Sequence, residues 1–238
     1  MKSALCIIVD TKGSTPRKIS SKMQVFEDGR IKGTIGGGNL EKKVIENALE
    51  QIKKNEAKLF KHDLLHQHNM CCGGTVYIYI EPMKEKLKLY IFGAGHTGVA
   101  LAEAANKLDF QVVVIDDRKE YIDAIQTNSF EKINATIQNF LPTIHFDKSS
   151  YICILTYDHQ LDRDILSYCI KQKVAYIGMI GSQRKIEMTK KIFIDSGIAD
   201  EEELNKVNMP IGKNILADTP EEIAISILAE LIETKNKK

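Results

Sequence analysis

Neither sign of charge dominates this chain. Its 33 Lys and Arg side chains stand against 32 Asp and Glu, a net charge of +1 over 238 residues. No broad basic surface follows from that balance, which argues against a general binder of nucleic acid or of anionic membrane. No apolar run of about 18 residues occurs, and the short apolar stretch 4–9 lacks the layout of a signal peptide. The chain therefore reads as cytoplasmic and soluble. None of the five cysteines forms a CxxC pair. Cys6, Cys153 and Cys169 lie in apolar runs and read as reduced, buried thiols. The Ser-His-Asp spacing of a hydrolase, the metalloprotease helix and the Walker loop are all missing, so catalysis has no evident side-chain owner. With 43% hydrophobic and 27% charged residues, the composition is that of an ordinary globular protein with one large or two modest domains.

What is present is glycine, in two informative runs. Residues 13–41 read GSTPRKISSKMQVFEDGRIKGTIGGGNLE, and residues 93–98 read GAGHTG. Three consecutive glycines, Gly36, Gly37 and Gly38, leave a backbone free to take positive φ and to approach a ligand closely. A helix starting near Asn39 would set its free N–H groups beside them, a favourable place for an anion. Arg17, behind Pro16, offers a planar fork suited to phosphate oxygens, and Lys18 and Lys22 add charge near Gly13 and Ser14. Glu41, in the first helical turn, is a candidate either to cap the helix or to receive a ligand N–H group. The second run, Gly93, Gly95, His96 and Gly98, follows a strand and opens a helix, with Asp116 or Asp117 about twenty residues on. That is the context of a dinucleotide-binding fingerprint, in which the acid meets ribose hydroxyls. Arg118 could meet an additional phosphate or simply be a surface arginine. A third turn, around Gly178 and Gly181, places Ser182 to cap a helix carrying Arg184 and Lys185; it reads as a further ligand loop or as a routine strand-to-helix turn.

The rest of the pattern orders these motifs. Strands are expected at 3–9, 22–27, 30–34, 59–63 and 75–80, with Asp28-Gly29 as a hairpin signal and a helix over 40–52. Pro82 and the charges that follow it suggest a linker over 81–88. From there strands at 88–92, 111–115, 151–155 and 174–177 alternate with helices at 96–107 and 162–171, which predicts a parallel, doubly wound sheet. Thr219, Pro220 and Glu222 mark the start of a final helix. The fold class is thus α/β: a small N-terminal α+β domain, 1–84, followed by a Rossmann-like domain, 85–238. Within the first domain, His62, His66, His68, Cys71 and Cys72 form a cluster whose spacing matches no common zinc signature. A soft metal or a sulfur-bearing ligand at Cys71 and Cys72 is the alternative.

GSTPRK with GTIGGGNLE, then MCCGG, IFGAGHTG with VIDDR, YIGMIGSQRK and TPEEIAISILAEL, in this order, resemble the XdhC/CoxI family of xanthine dehydrogenase accessory proteins over nearly the whole chain. The resemblance implies a chaperone without enzymatic activity. It would bind molybdenum cofactor (molybdopterin), protect it, and deliver it to a molybdenum hydroxylase of the xanthine dehydrogenase type, with a cysteine desulfurase as a further partner and a homodimer as its form. It also implies a binding site whose one wall comprises Gly13, Ser14, Arg17, Lys22, Gly36, Gly37 and Gly38, near Cys72, Gly73 and Gly74. Gly93, Gly95, Gly98, Gly181 and Ser182 would form the facing wall. Two stretches depart from the family's pattern: Lys213, Asn214 and Leu216 replace an apolar residue, an acid and a glycine, and Tyr157 stands where a basic residue is more usual. The rival reading is an NAD(P)-dependent oxidoreductase using the GAGHTG loop.

Overall fold

The computed structural model describes residues 2–66, 73–83 and 87–237. The chain divides into two compact units, Met1–Glu85 and Lys86–Lys238.

In the first unit, β1 (Ser3–Lys12), β2 (Lys22–Phe26), β3 (Ile31–Gly33), β4 (Lys58–Asp63) and β5 (Thr75–Met83) form one antiparallel sheet in the order β3-β2-β1-β5-β4. Helix α1 (Gly38–Lys54) covers one face. The pleat sorts β5 cleanly: Val76, Ile78 and Ile80 are buried beneath Leu40, Val44 and Ala48 of α1, while the intervening Tyr77 and Tyr79 are only half-buried. β1 outruns the apolar stretch that announced it. A bulge at Val9 resets its register, and Asp10, Thr11 and Lys12 go on to pair with Tyr77, Val76 and Thr75. Strand partnership, not local propensity, thus carries β1 up to the Gly13 turn. The linker expected at 81–88 is corrected for its first part. Glu81, Pro82 and Met83 stay in β5 opposite Leu5, Ala4 and Ser3. Pro82 lies past the end of β4, where that flank of β5 is an edge and a missing N–H is tolerated.

The second unit is a parallel sheet of β6 (Leu87–Phe92), β7 (Phe110–Asp116), β8 (Glu131–Asn134), β9 (Ser150–Ile154) and β10 (Tyr176–Met179), in the order β10-β9-β6-β7-β8. The connecting helices are α2 (His96–Ala105), α3 (Lys119–Ala124), α4 (Ile137–Phe140) and α5 (His159–Cys169). They are followed by α6 (Gln183–Asp195), α7 (Glu201–Leu204) and α8 (Pro220–Asn236). Both faces are covered, so the inner strands β6, β7 and β9 are mainly apolar, whereas the edge strand β8 (EKIN) is polar. Leu89, Ile91, Val112 and Val114 pack with α2 and α8 on one face. Tyr90, Phe92, Val113 and Ile115 pack with α4, α5 and α6 on the other. The strand order reverses between β6 and β9, which makes that point the crevice where doubly wound sheets bind ligands. Thr219 caps α8 in a reciprocal box with Glu222, as the sequence predicts. Among the described residues, no helix is long and apolar enough to cross a membrane.

Candidate functional site

In the first unit, three segments of the sequence meet at one corner. β1 leads into Gly13, whose missing Cβ would lie 3.4 Å from the backbone of Gly74. Gly74 itself, just before β5, is pressed against the chain: a Cβ there would lie 2.3 Å from the Ser14 carbonyl and 2.7 Å from that of Lys12. The Pro16 ring occupies the place where a Gly36 side chain would be, at 2.7 Å, and the Arg17 stem is 3.8 Å from it. The turn 13–17, the triple glycine and the pair Gly73-Gly74 are therefore neighbours. Gly36, Gly37 and Gly38 all take positive φ, at 135°, 76° and 64°, a path that L side chains resist at about 1–2 kcal/mol per residue. Gly37 is the N-cap of α1, and among the described residues none comes within 4 Å of the place a Cβ would take on Gly37 or Gly73.

Glu41 holds this loop in shape. One of its carboxylate oxygens accepts from the Thr34 hydroxyl and from the N–H groups of Ile35 and Gly37, each of the latter at 3.0 Å. Burial alone would raise this carboxyl, but these hydrogen bonds outweigh it and hold Glu41 below its usual range. Of the two roles open to Glu41, the structure displays the internal one. Lys22 borders the corner: it opens β2, and its carbonyl lies 2.6 Å from where a Cβ on Gly33 would fall. Cys71, Cys72 and His68 lie outside the described residues. His62 is buried in β4, and His66 is exposed and paired with Asp63. Among the described residues, no group of three or more His, Cys, Asp or Glu side chains could hold a metal ion. Cys6, Cys153 and Cys169 are buried free thiols; burial pushes Cys6 and Cys169 up to about 12.

In the second unit, the fingerprint turns out to be built largely for packing. A Cβ on Gly93 would lie 2.2 Å from the Leu155 carbonyl, and one on Gly98 would lie 2.0 Å from the Gly93 carbonyl. Gly95 is different. Its φ of −70° suits any residue, and a Cβ there would meet nothing within 4 Å. Neither the backbone nor the packing demands glycine at that position. His96, exposed, begins α2.

The acid of the fingerprint has a task that spacing alone cannot reveal. Asp116 is 4% exposed. It accepts the Ala94 N–H at 2.7 Å and the Arg118 N–H at 2.9 Å, and it takes both arms of the Arg118 guanidinium at 2.9 and 2.8 Å. Burial would raise its carboxyl, but these bonds prevail and keep it below the ordinary range. Of the acids and the arginine that the fingerprint offered, Asp116 and Arg118 are thus engaged with each other in this structure. Arg118 also lies between two aromatic rings, 3.7 Å from the centre of Tyr121 and 4.1 Å from that of Tyr157. The neighbouring acid, Asp117, is half-buried and accepts the Tyr157 hydroxyl at 3.3 Å. No sequence signal pointed to Tyr157 as a bridging residue. Gly178 proves to lie within β10, where Ile211 and the Tyr176 hydroxyl fill the place of a side chain. Ser182 does occupy the N-cap of α6 after Gly181, but its side chain makes no capping hydrogen bond. In the divergent loop, Leu216 takes φ 60° with its side chain exposed, and Lys213 pairs with Glu233.

Comparison with known proteins follows the same division. Residues 89–231 match the XdhC Rossmann domain and residues 2–63 match the XdhC and CoxI family. The chain is 34% identical over 244 residues to YqeB of Escherichia coli (strain K12), described as uncharacterized, an alignment covering 98% of this chain and 43% of that protein. It is 29% identical over 164 residues to a probable xanthine dehydrogenase subunit of Bacillus subtilis (strain 168), covering 68% of this chain and 47% of that one. This chain thus spans less than half the length of these two curated relatives. A crystal structure described as a xanthine dehydrogenase from Bacillus halodurans shares the fold, with a TM-score of 0.57 at 21% identity over 100% of this chain and 93% of the other. A glycine-cornered antiparallel unit preceding a Rossmann unit, with family matches in both, places this chain in the XdhC and CoxI family.

Proposed function

We propose that the chain is an accessory protein in the maturation of a molybdenum hydroxylase of the xanthine dehydrogenase type, and that its cargo is molybdenum cofactor. The observation that carries the reading is the corner of the first unit. Three sequence segments meet there, the turn 13–17 with Ser14 and the exposed Arg17, the triple glycine and the pair Gly73-Gly74. Molybdopterin presents a phosphate, a pterin edge rich in hydrogen-bonding groups, and the dithiolene that carries the metal. The corner suits that chemistry. Arg17 would bind the phosphate as a fork, the first turn of α1 would add N–H groups without a capping side chain, and Ser14 and the glycine backbone would face the pterin edge. Because Glu41 already takes the Gly37 N–H, anion binding would fall on the turn beyond it. The cofactor supplies the recipient hydroxylase with its redox centre. The residues of this chain bind and shield it, a role that asks for no general base, so we assign carriage and not catalysis. The rival oxidoreductase reading has weaker support, because Asp116 and Arg118, its natural ribose and phosphate ligands, are engaged with each other.

Delivery can be tested by reconstitution. The chain, loaded anaerobically with molybdenum cofactor, should restore activity to a cofactor-free xanthine dehydrogenase-type hydroxylase faster than free cofactor does. Gly37→Val should remove most of that advantage. Equal rates with and without the chain would count against the carrier role.

A further inference from the structure

The sheet edge of the second unit contains an aromatic contact that the carrier reading does not use. Tyr157 follows β9, whereas Asp117 and Arg118 follow β7; β6 lies between, so the two ends are about 10 Å apart across the sheet. The Tyr157 side chain bridges that gap over the point where the 93–98 loop leaves β6. Its ring rests on the Arg118 guanidinium, and its hydroxyl donates to Asp117. Tyr157 is nevertheless 54% exposed, so the bridge is a surface strap and not part of either core.

We infer that this edge is a nucleoside subsite that Tyr157 holds closed by imitating the ligand. A planar ring stacked on Arg118 stands where a nucleobase would stack, and a hydroxyl on Asp117 stands where a ribose hydroxyl would donate. Three further features agree. Arg118 is fixed in place by Asp116 and by Tyr121 on its other face, so its platform persists when Tyr157 swings away. Asp117 makes its side-chain contact with the strap itself, so opening frees an acceptor. Beside the crevice, Gly95 leaves room that neither its φ nor its neighbours require. The site also states a preference. With Arg118 occupied by Asp116 and a second carboxylate next to it, a 2′-phosphate would face negative charge with no free fork to meet it. The ligand class is therefore a nucleotide whose ribose carries free hydroxyls. Such a site would work whether or not the first unit carries molybdenum cofactor.

Titration calorimetry of the full chain with ADP-ribose and with its 2′-phosphorylated form tests this. The strap consists of one exposed cation–π contact and one hydroxyl–carboxylate bond, a loss equivalent to about a tenfold change. Tyr157→Ala should therefore bind ADP-ribose about tenfold more tightly than the native chain, and Tyr157→Phe, which loses only the hydroxyl bond, should show a smaller gain. Adding Asp117→Asn to Tyr157→Ala should reverse the gain, and the 2′-phosphorylated probe should bind that open variant at least tenfold more weakly. If Tyr157→Ala binds ADP-ribose no better than the native chain, or neither binds it, the inference fails. A gain that survives Asp117→Asn would overturn it equally. Molybdenum cofactor binding, followed in the same variants, reports on the first unit separately.

Discussion

The two glycine loops of this chain resemble each other in sequence and differ in the reason for their glycines. In the 36–38 loop the demand comes from the backbone: all three residues take positive φ, and Gly36 is also crowded, by Pro16. In the 93–98 loop the demand comes mainly from packing, since a Cβ on Gly93 or Gly98 would fall within 2.2 Å of a carbonyl oxygen. Each loop is nonetheless fastened in the same way, by a carboxylate that accepts loop N–H groups: Glu41 in the first, Asp116 in the second. An acid near a glycine loop is thus as well suited to holding the loop as to holding a ligand. Gly37, whose N–H Glu41 holds, and Gly95 are the positions in the two loops where no described residue crowds the place of a Cβ.

Substitutions at these positions separate the two kinds of demand. Gly93→Ala should be the most damaging, costing about 4 kcal/mol or more, because it combines a 2.2 Å collision with a φ of 120°. Urea unfolding of the second unit would measure it, and a cost under about 1 kcal/mol would contradict the packing explanation. Asp116→Asn should cost about 3 kcal/mol, the low end for breaking a buried ion pair, since Arg118 keeps some contact with solvent. This pair also sets a pH dependence. Because the folded carboxyl sits below its unfolded value, its contribution is present above pH ~4 and lost as pH falls through the folded pKa. Asp116→Asn should therefore flatten the acid limb of a stability-against-pH curve, and an unchanged limb would show that the fastening is weaker than its geometry. The smallest effects sharpen the comparison most. Gly37→Ala should cost about 1–3 kcal/mol through its backbone alone, since φ 76° with ψ −175° is a conformation reserved for glycine. Gly95→Ala, at −70° with open space around it, should stay within about 0.5 kcal/mol.

Much of the fold was legible because its signals are local. The Asp28-Gly29 hairpin, the Thr219 box and the shift from antiparallel to alternating patterning all lie within short windows. Long-range partners hid the rest. The last three residues of β1, Asp10, Thr11 and Lys12, have polar side chains and become strand only because β5 lies beside them. Pro82 reads as a breaker until β4 is seen to end before it. At the site, the glycines were visible but their causes were not, since Leu155 is far from Gly93 in sequence. Asp116 fitted the ribose rule by spacing, while its partners Ala94 and Arg118 had to be placed in space to show its use. Tyr157 carried no motif at all.

Anaerobic calorimetric titration of the chain with molybdenum cofactor tests the central claim most directly. Near-stoichiometric binding in the micromolar range, about −8 kcal/mol, is predicted, with marked weakening in Arg17→Ala and Gly37→Val. Absence of binding, or equal affinity in the native chain and both variants, would contradict the assignment of the glycine corner as the cofactor cradle.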